Sequence, residues 1–133
     1  MADQLHVFVG TFASRDDACL HTEAQWEPEP SDSVTDAEYE AWDNRNPIWG
    51  FCAEQIDDAY LDSDFVETID GDNRYDYLAT YLVNDADIDT IRQFDSDANI
   101  LLLIFPDALS GFDTALRSTS LMKYVGGFDF RWP

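Results

Sequence analysis

The sequence predicts a single α+β domain in which a small central β-sheet is flanked by helices. Two apolar runs and a set of helix-start signals carry that expectation. Leu5-His6-Val7-Phe8-Val9 is β-rich and closes at Gly10, as an opening strand does. Ile100-Leu101-Leu102-Leu103-Ile104 is a continuous apolar run between Asn99 and Pro106, the pattern of a strand buried on both faces. At 133 residues, 45% apolar and 14% aromatic, the chain has material for one core and little room for a second.

After the first strand, which the pattern places centrally, Ser14 stands as an N-cap. Asp16 and Asp17 follow in the first turn, where carboxylates complement the positive end of the helix dipole, and the helix is expected to run to about Trp26. Glu27 to Ser33, with Pro28 and Pro30, is a surface loop. Thr35-Asp36-Ala37-Glu38 is a capping box, whose hydroxyl and carboxylate each satisfy an orphan backbone donor. The helix it opens carries Tyr39 and Trp42 and should stop before Pro47, whose ring disfavours helix in the residue ahead of it.

Ile48 to Phe51 is an apolar patch, and Ala53 to Glu67 mixes apolar residues with aspartates without a clear period. Asp70-Gly71-Asp72-Asn73 is a turn by composition. Tyr75 to Leu82 has helical spacing at Leu78, Tyr81 and Leu82, and Asn84 caps a further helix bearing Ile88, Ile91 and Phe94. Beyond the second apolar run, Asp107 to Leu121 is ambiguous. Met122 to Val125 and Phe128 to Trp132 read as two short strands around Gly126-Gly127.

Charge is the unusual property. The chain has 28 acidic residues against 7 Lys and Arg, a formal net charge of -21, and Lys123 as its one lysine. Self-repulsion of that size costs compact-state stability and is screened by salt over a Debye length of about 8 Å. Such a field repels nucleic acid and anionic lipid, so direct binding to either is excluded, and it favours encounter with a cationic protein. Two other accounts stand beside that one: a salt-adapted surface, since Asp outnumbers Glu roughly three to one, and a nucleic-acid mimic whose carboxylates replace phosphates to inhibit a defence nuclease. No basic leader or long apolar run follows Met1, and a cytoplasmic location is expected. Cys19 and Cys52 lack CxxC spacing and read as thiols, although a bridge between them stays open.

No catalytic signature emerges. His6 sits in the strand pattern and His21 in the helix pattern, and the six glycines are scattered rather than gathered in a phosphate loop. Asp85, Asp87 and Asp89 match the first positions of a calcium loop, yet Thr90 occupies the glycine position and Ser96 the place of the bidentate Glu. The expectation is therefore no catalytic residue, no metal and no cofactor.

Three patterns together resemble the immunity protein 22 family of bacterial polymorphic toxin systems. They are His6-Val7-Phe8-Val9-Gly10-Thr11-Phe12-Ala13-Ser14, Tyr60-Leu61-Asp62-Ser63-Asp64-Phe65-Val66-Glu67, and the closing Tyr124-Val125-Gly126-Gly127-Phe128-Asp129-Phe130. The resemblance implies an antidote that binds and blocks a cognate toxin, with no reaction of its own. A toxin that cleaves nucleic acid needs a basic groove, to which a polyanionic protein is complementary. Because desolvated aromatics dominate binding energy while rim charges set the association rate, the candidate partner-binding residues are Trp49, Asp57, Asp58, Tyr60, Asp62, Asp64 and Glu67.

Overall fold

A computed structural model describes residues 4–55, 61–109 and 115–133. Within them a four-stranded, wholly antiparallel sheet forms the middle layer: β1 (Gln4–Gly10), β2 (Val66–Ile69), β3 (Ile100–Ile104) and β4 (Lys123–Asp129), in the spatial order β2-β3-β1-β4. Helices α1 (Arg15–Thr22) and α3 (Gly50–Ala53) cover one face, and α4 (Arg74–Ala79) and α5 (Asp85–Phe94) cover the other. The fold is α+β, as the sequence predicts.

The two faces follow from the alternation of strand side chains. Leu5, Val7, Val9, Leu101, Leu103 and Phe105 pack with Leu78, Leu82, Ile91 and Ala98 on the α4/α5 face. Phe8, Ile100, Leu102 and Ile104 pack with Ala18, Phe51, Leu61, Ala108, Leu116 and Met122 on the α1/α3 face. All five residues of β3 are buried, which is why its sequence has no polar alternation. Burying each large side chain contributes roughly 1.5–3 kcal/mol.

Ser14 caps α1 as expected, its hydroxyl accepting the Asp17 amide at 3.1 Å. The helix ends at Thr22 rather than near Trp26, because Gln25 pairs with Ile48 through two main-chain hydrogen bonds of 2.8 Å and draws the chain into extended form. Trp26 thereby leaves the helix and stands exposed beside Trp42. Helix α2 (Asp36–Arg45) starts on Thr35, which accepts the Glu38 amide, and stops ahead of Pro47. It is anchored by Trp42, whose indole N–H donates to the Glu27 carbonyl at 3.2 Å.

Three sequence readings need correction. The unassigned stretch before Asp70 contributes strand β2, preceded by a short 3-10 turn over Ser63–Phe65, because pairing with β3 supplies order that its own composition lacks. Asn84 holds the cap position of α5, but its side chain takes up no helix amide. The two closing strands are one strand: Val7 faces Gly126 while Phe8 faces Tyr124, so Val125 is the extra residue of a bulge, and Gly126 accommodates it with φ of 151°. Gly10 has a different reason to be glycine, since a Cβ there would lie 2.4 Å from Met122 Sδ and 2.9 Å from the Leu121 carbonyl.

The core predicts unequal responses to truncation. Leu102→Ala, at a fully buried position, is expected to lose about 2–5 kcal/mol. Leu121→Ala, at a side chain 53% exposed, should stay within about 0.5 kcal/mol. Urea unfolding measures both, and equal losses would contradict the two-faced core.

Candidate partner-binding surface

Of the residues singled out in the sequence, Asp57, Asp58 and Tyr60 lie outside the described residues. The others are divided by the pleat of β2. Val66 and Thr68 turn toward α1, where the Thr68 and Thr22 hydroxyls meet at 2.6 Å. Glu67 turns to the opposite face, where its carboxylate accepts the Tyr77 hydroxyl at 2.6 Å, and Tyr77 in turn meets Tyr81 at 3.0 Å. Burial and that carboxylate hold the Tyr77 phenol far above its ordinary range, so it remains a donor. Trp49 belongs to the α1 side, half-buried, with its indole N–H on the Thr22 carbonyl at 2.8 Å. Asp62 caps the 3-10 turn by accepting the Asp64 amide at 3.0 Å, which leaves the Asp64 carboxylate exposed.

Trp49 and the outer edge of β2 do come together, with partners that the sequence did not reveal. A cleft of about 240 Å³ is lined by two of the candidate residues, Trp49 and Glu67, together with Arg15, Glu23, Trp26, Val66 and Thr68, among others. Trp26 is 57% exposed there. Arg15 donates to the Thr68 carbonyl at 3.3 Å and stands 3.9 Å from Glu23 and 3.8 Å from Asp70. The only hint of this role in the sequence is an aromatic residue, Trp26, placed directly before a proline-bearing acidic loop. A second hollow, of about 340 Å³, is lined by Glu29, Asp32, Asp36 and Tyr39, with no cation among its lining residues.

The few cations are disposed in a particular way. Arg15, Arg45 and Lys123 reach carboxylates, on Glu23 and Asp70, Glu27, and Asp95 respectively. Arg117 instead donates to the main-chain carbonyls of Glu54 at 2.8 Å and Gln55 at 3.0 Å, and Arg74 to those of Gly71 and Ala98. Arg74 and Arg92 also lie over the Tyr75 ring, each 4.8 Å from its centre. Among the described residues most carboxylates are therefore left to solvent.

Both histidines have structural surroundings. His6 Nδ1 lies 2.7 Å from the Tyr124 hydroxyl, and burial lowers its pKa. Thr119 Oγ1 accepts amides from Met122 at 3.0 Å and Leu121 at 3.3 Å, so its own proton points to His21 Nε2, 2.8 Å away. Glu54 approaches the same nitrogen at 4.0 Å, so Thr119, His21 and Glu54 do not form the relay of a nucleophile, base and orienting acid, which needs partners on opposite nitrogens. Asp85, Asp87 and Asp89 lie within α5, and no group of His, Cys, Asp and Glu among the described residues is arranged to hold a metal. No helix there is long and apolar enough to cross a membrane.

Burial lowers the His21 pKa and Glu54 opposes it more weakly. With the folded pKa below the ordinary value, the unfolded chain takes up the proton first. The stability that neutral His21 contributes is therefore complete above about pH 6.5 and shrinks as pH falls below it. His21→Gln is expected to lose about 1 kcal/mol at pH 7.5, with the gap to the parent protein narrowing at pH 5.5. A gap independent of pH in paired unfolding curves would contradict this account.

Comparison of the chain with protein-family models, with curated proteins and with solved structures returned no match.

Proposed function

We propose that the protein is an antidote that binds a cationic partner protein, a cognate bacterial toxin with a basic active surface, and blocks it by occupying that surface. The observation that carries this reading is the excess of carboxylates over cations, most of them exposed. On a chain of net charge -21, Arg15, Arg45 and Lys123 reach carboxylates while Arg74 and Arg117 hydrogen-bond main-chain carbonyls, and seven cations are too few to offset 28 acids. A foldable domain that keeps such a field bears its self-repulsion continuously, and a basic partner relieves it on binding. The resemblance of the three sequence patterns to the immunity protein 22 family supports the same role. Blocking of this kind requires no chemistry from the antidote.

The test is co-expression with the toxin domain encoded beside it. The expected result is a complex that copurifies and protects cells from that toxin, with an association rate that falls steeply between low and physiological salt. Replacing Asp64 by Lys, together with Asp62→Asn to keep the cap, should slow association and flatten its salt dependence. Absence of any salt-sensitive association with a basic toxin would overturn the proposal, as would an equally acidic proteome in the source organism, which assigns the charge to solubility.

A further inference from the structure

The edge of the sheet at β2 is incomplete in a way that defines what fits it. Phe105 N–H bonds to the Phe65 carbonyl at 3.1 Å, and the antiparallel register continues as Glu67 opposite Leu103 and Ile69 opposite Leu101. In such a ladder alternate residues exchange both hydrogen bonds, so Phe65, Glu67 and Ile69 face β3, while the main-chain groups of Val66 and Thr68 face outward. Two of those four outward groups are already used: the Val66 amide donates to the Ser63 carbonyl, and the Thr68 carbonyl accepts from Arg15. Among the described residues the Val66 carbonyl and the Thr68 amide remain, and Thr68, 4% exposed, is reached only through the cleft that it lines. Their spacing matches one residue of an added strand running parallel to β2, whose N–H and C=O bond both.

The surroundings of this pair specify the side chains of such a strand. A residue directly across from Glu67 shares its face of the sheet, where the Glu67 carboxylate lies. The residues before and after it point to the other face, into the cleft bounded by Trp26 and Trp49. Asp64 and Asp70 stand near the two ends of β2, and Arg15, the single cation of the cleft, is turned onto the Thr68 carbonyl. Charge and shape thus select an extended segment with a basic residue between apolar ones.

We propose that the outer edge of β2, with Trp26 and Trp49, receives an extended basic segment of the partner protein as an additional parallel strand. This inference rests on the antidote reading and places its interface. An isolated edge of this length presents few hydrogen bonds, so the exposed Trp26 is the anchor that supplies affinity and the carboxylates supply orientation.

The test uses an end-capped heptapeptide of alternating lysine and valine, with an alternating glutamate and valine peptide as control, and amide hydrogen exchange read residue by residue. The lysine peptide is expected to bind, to slow exchange of the Thr68 amide, and to leave Glu67 and Ile69, already paired with β3, unchanged; the control peptide should do neither. Trp26→Ala should weaken binding about tenfold or more while the exchange pattern of the free protein is kept. Failure of the lysine peptide to bind, or binding without protection of Thr68, overturns the edge site. Repeating the exchange with the intact toxin domain separates the two proposals: association with an unprotected Thr68 amide removes the edge site and leaves the antidote role standing, whereas no association removes both.

Discussion

Burial of β3 on both faces is the constraint from which the rest of the architecture follows. Five consecutive apolar side chains alternate between the two sides of a sheet, so neither side can face water, and a helical layer is required on each. The chain meets the requirement by sending α1 and α3 to one side and α4 and α5 to the other. β1, the other strand with a mostly buried sequence, takes the neighbouring central position. The strands left for the margins are β2 and β4, both half-buried. With both faces of the sheet covered, any contact made by the sheet itself has to be made at a margin.

The covering layers are held by polar contacts as much as by area. Gln55, 2% exposed, exchanges two hydrogen bonds of 2.9 Å with the main chain of Arg117, and the Arg117 guanidinium returns to the carbonyls of Glu54 and Gln55. Trp49 closes the opposite end of the same segment onto the last turn of α1. Both polar atoms of the buried amide have a partner in this arrangement, which offsets much of the penalty that would otherwise attach to its burial. Hydrogen bonds from Ser120, helped by His21 and by the Arg117 guanidinium, which keeps its charge there, hold the Glu54 carboxyl below its ordinary pKa.

The outer surface accordingly combines a diffuse field with a few fixed points of contact. The field reaches over a Debye length and is indifferent to detail. The contact proposed at the β2 margin rests on two main-chain groups and two indoles whose positions are set by the sheet and by the Gln25 to Ile48 pairing. In the proposed complex, long-range attraction and short-range selection have separate origins, the first in composition and the second in topology.

Composition and periodicity by themselves determined the α+β class, the central place of the first strand, the two-sided burial of Ile100–Ile104, and the caps at Ser14 and Thr35, because each depends on local chemistry or on an unbroken apolar run. Tertiary structure alone decided the rest. β2 became a strand because β3 offered it a partner, α1 stopped early because Gln25 paired with a residue distant in sequence, and Gly126 and Val125 formed a bulge instead of a turn because β1 continued past them. It also turned the Glu67 carboxylate onto Tyr77 while keeping Glu67 in the lining of the cleft that holds Trp49, and it brought Trp26, Arg15 and Thr68 to that cleft from separate segments. Such pairings are settled by long-range main-chain hydrogen bonds, which leave no periodic mark in the residues that make them.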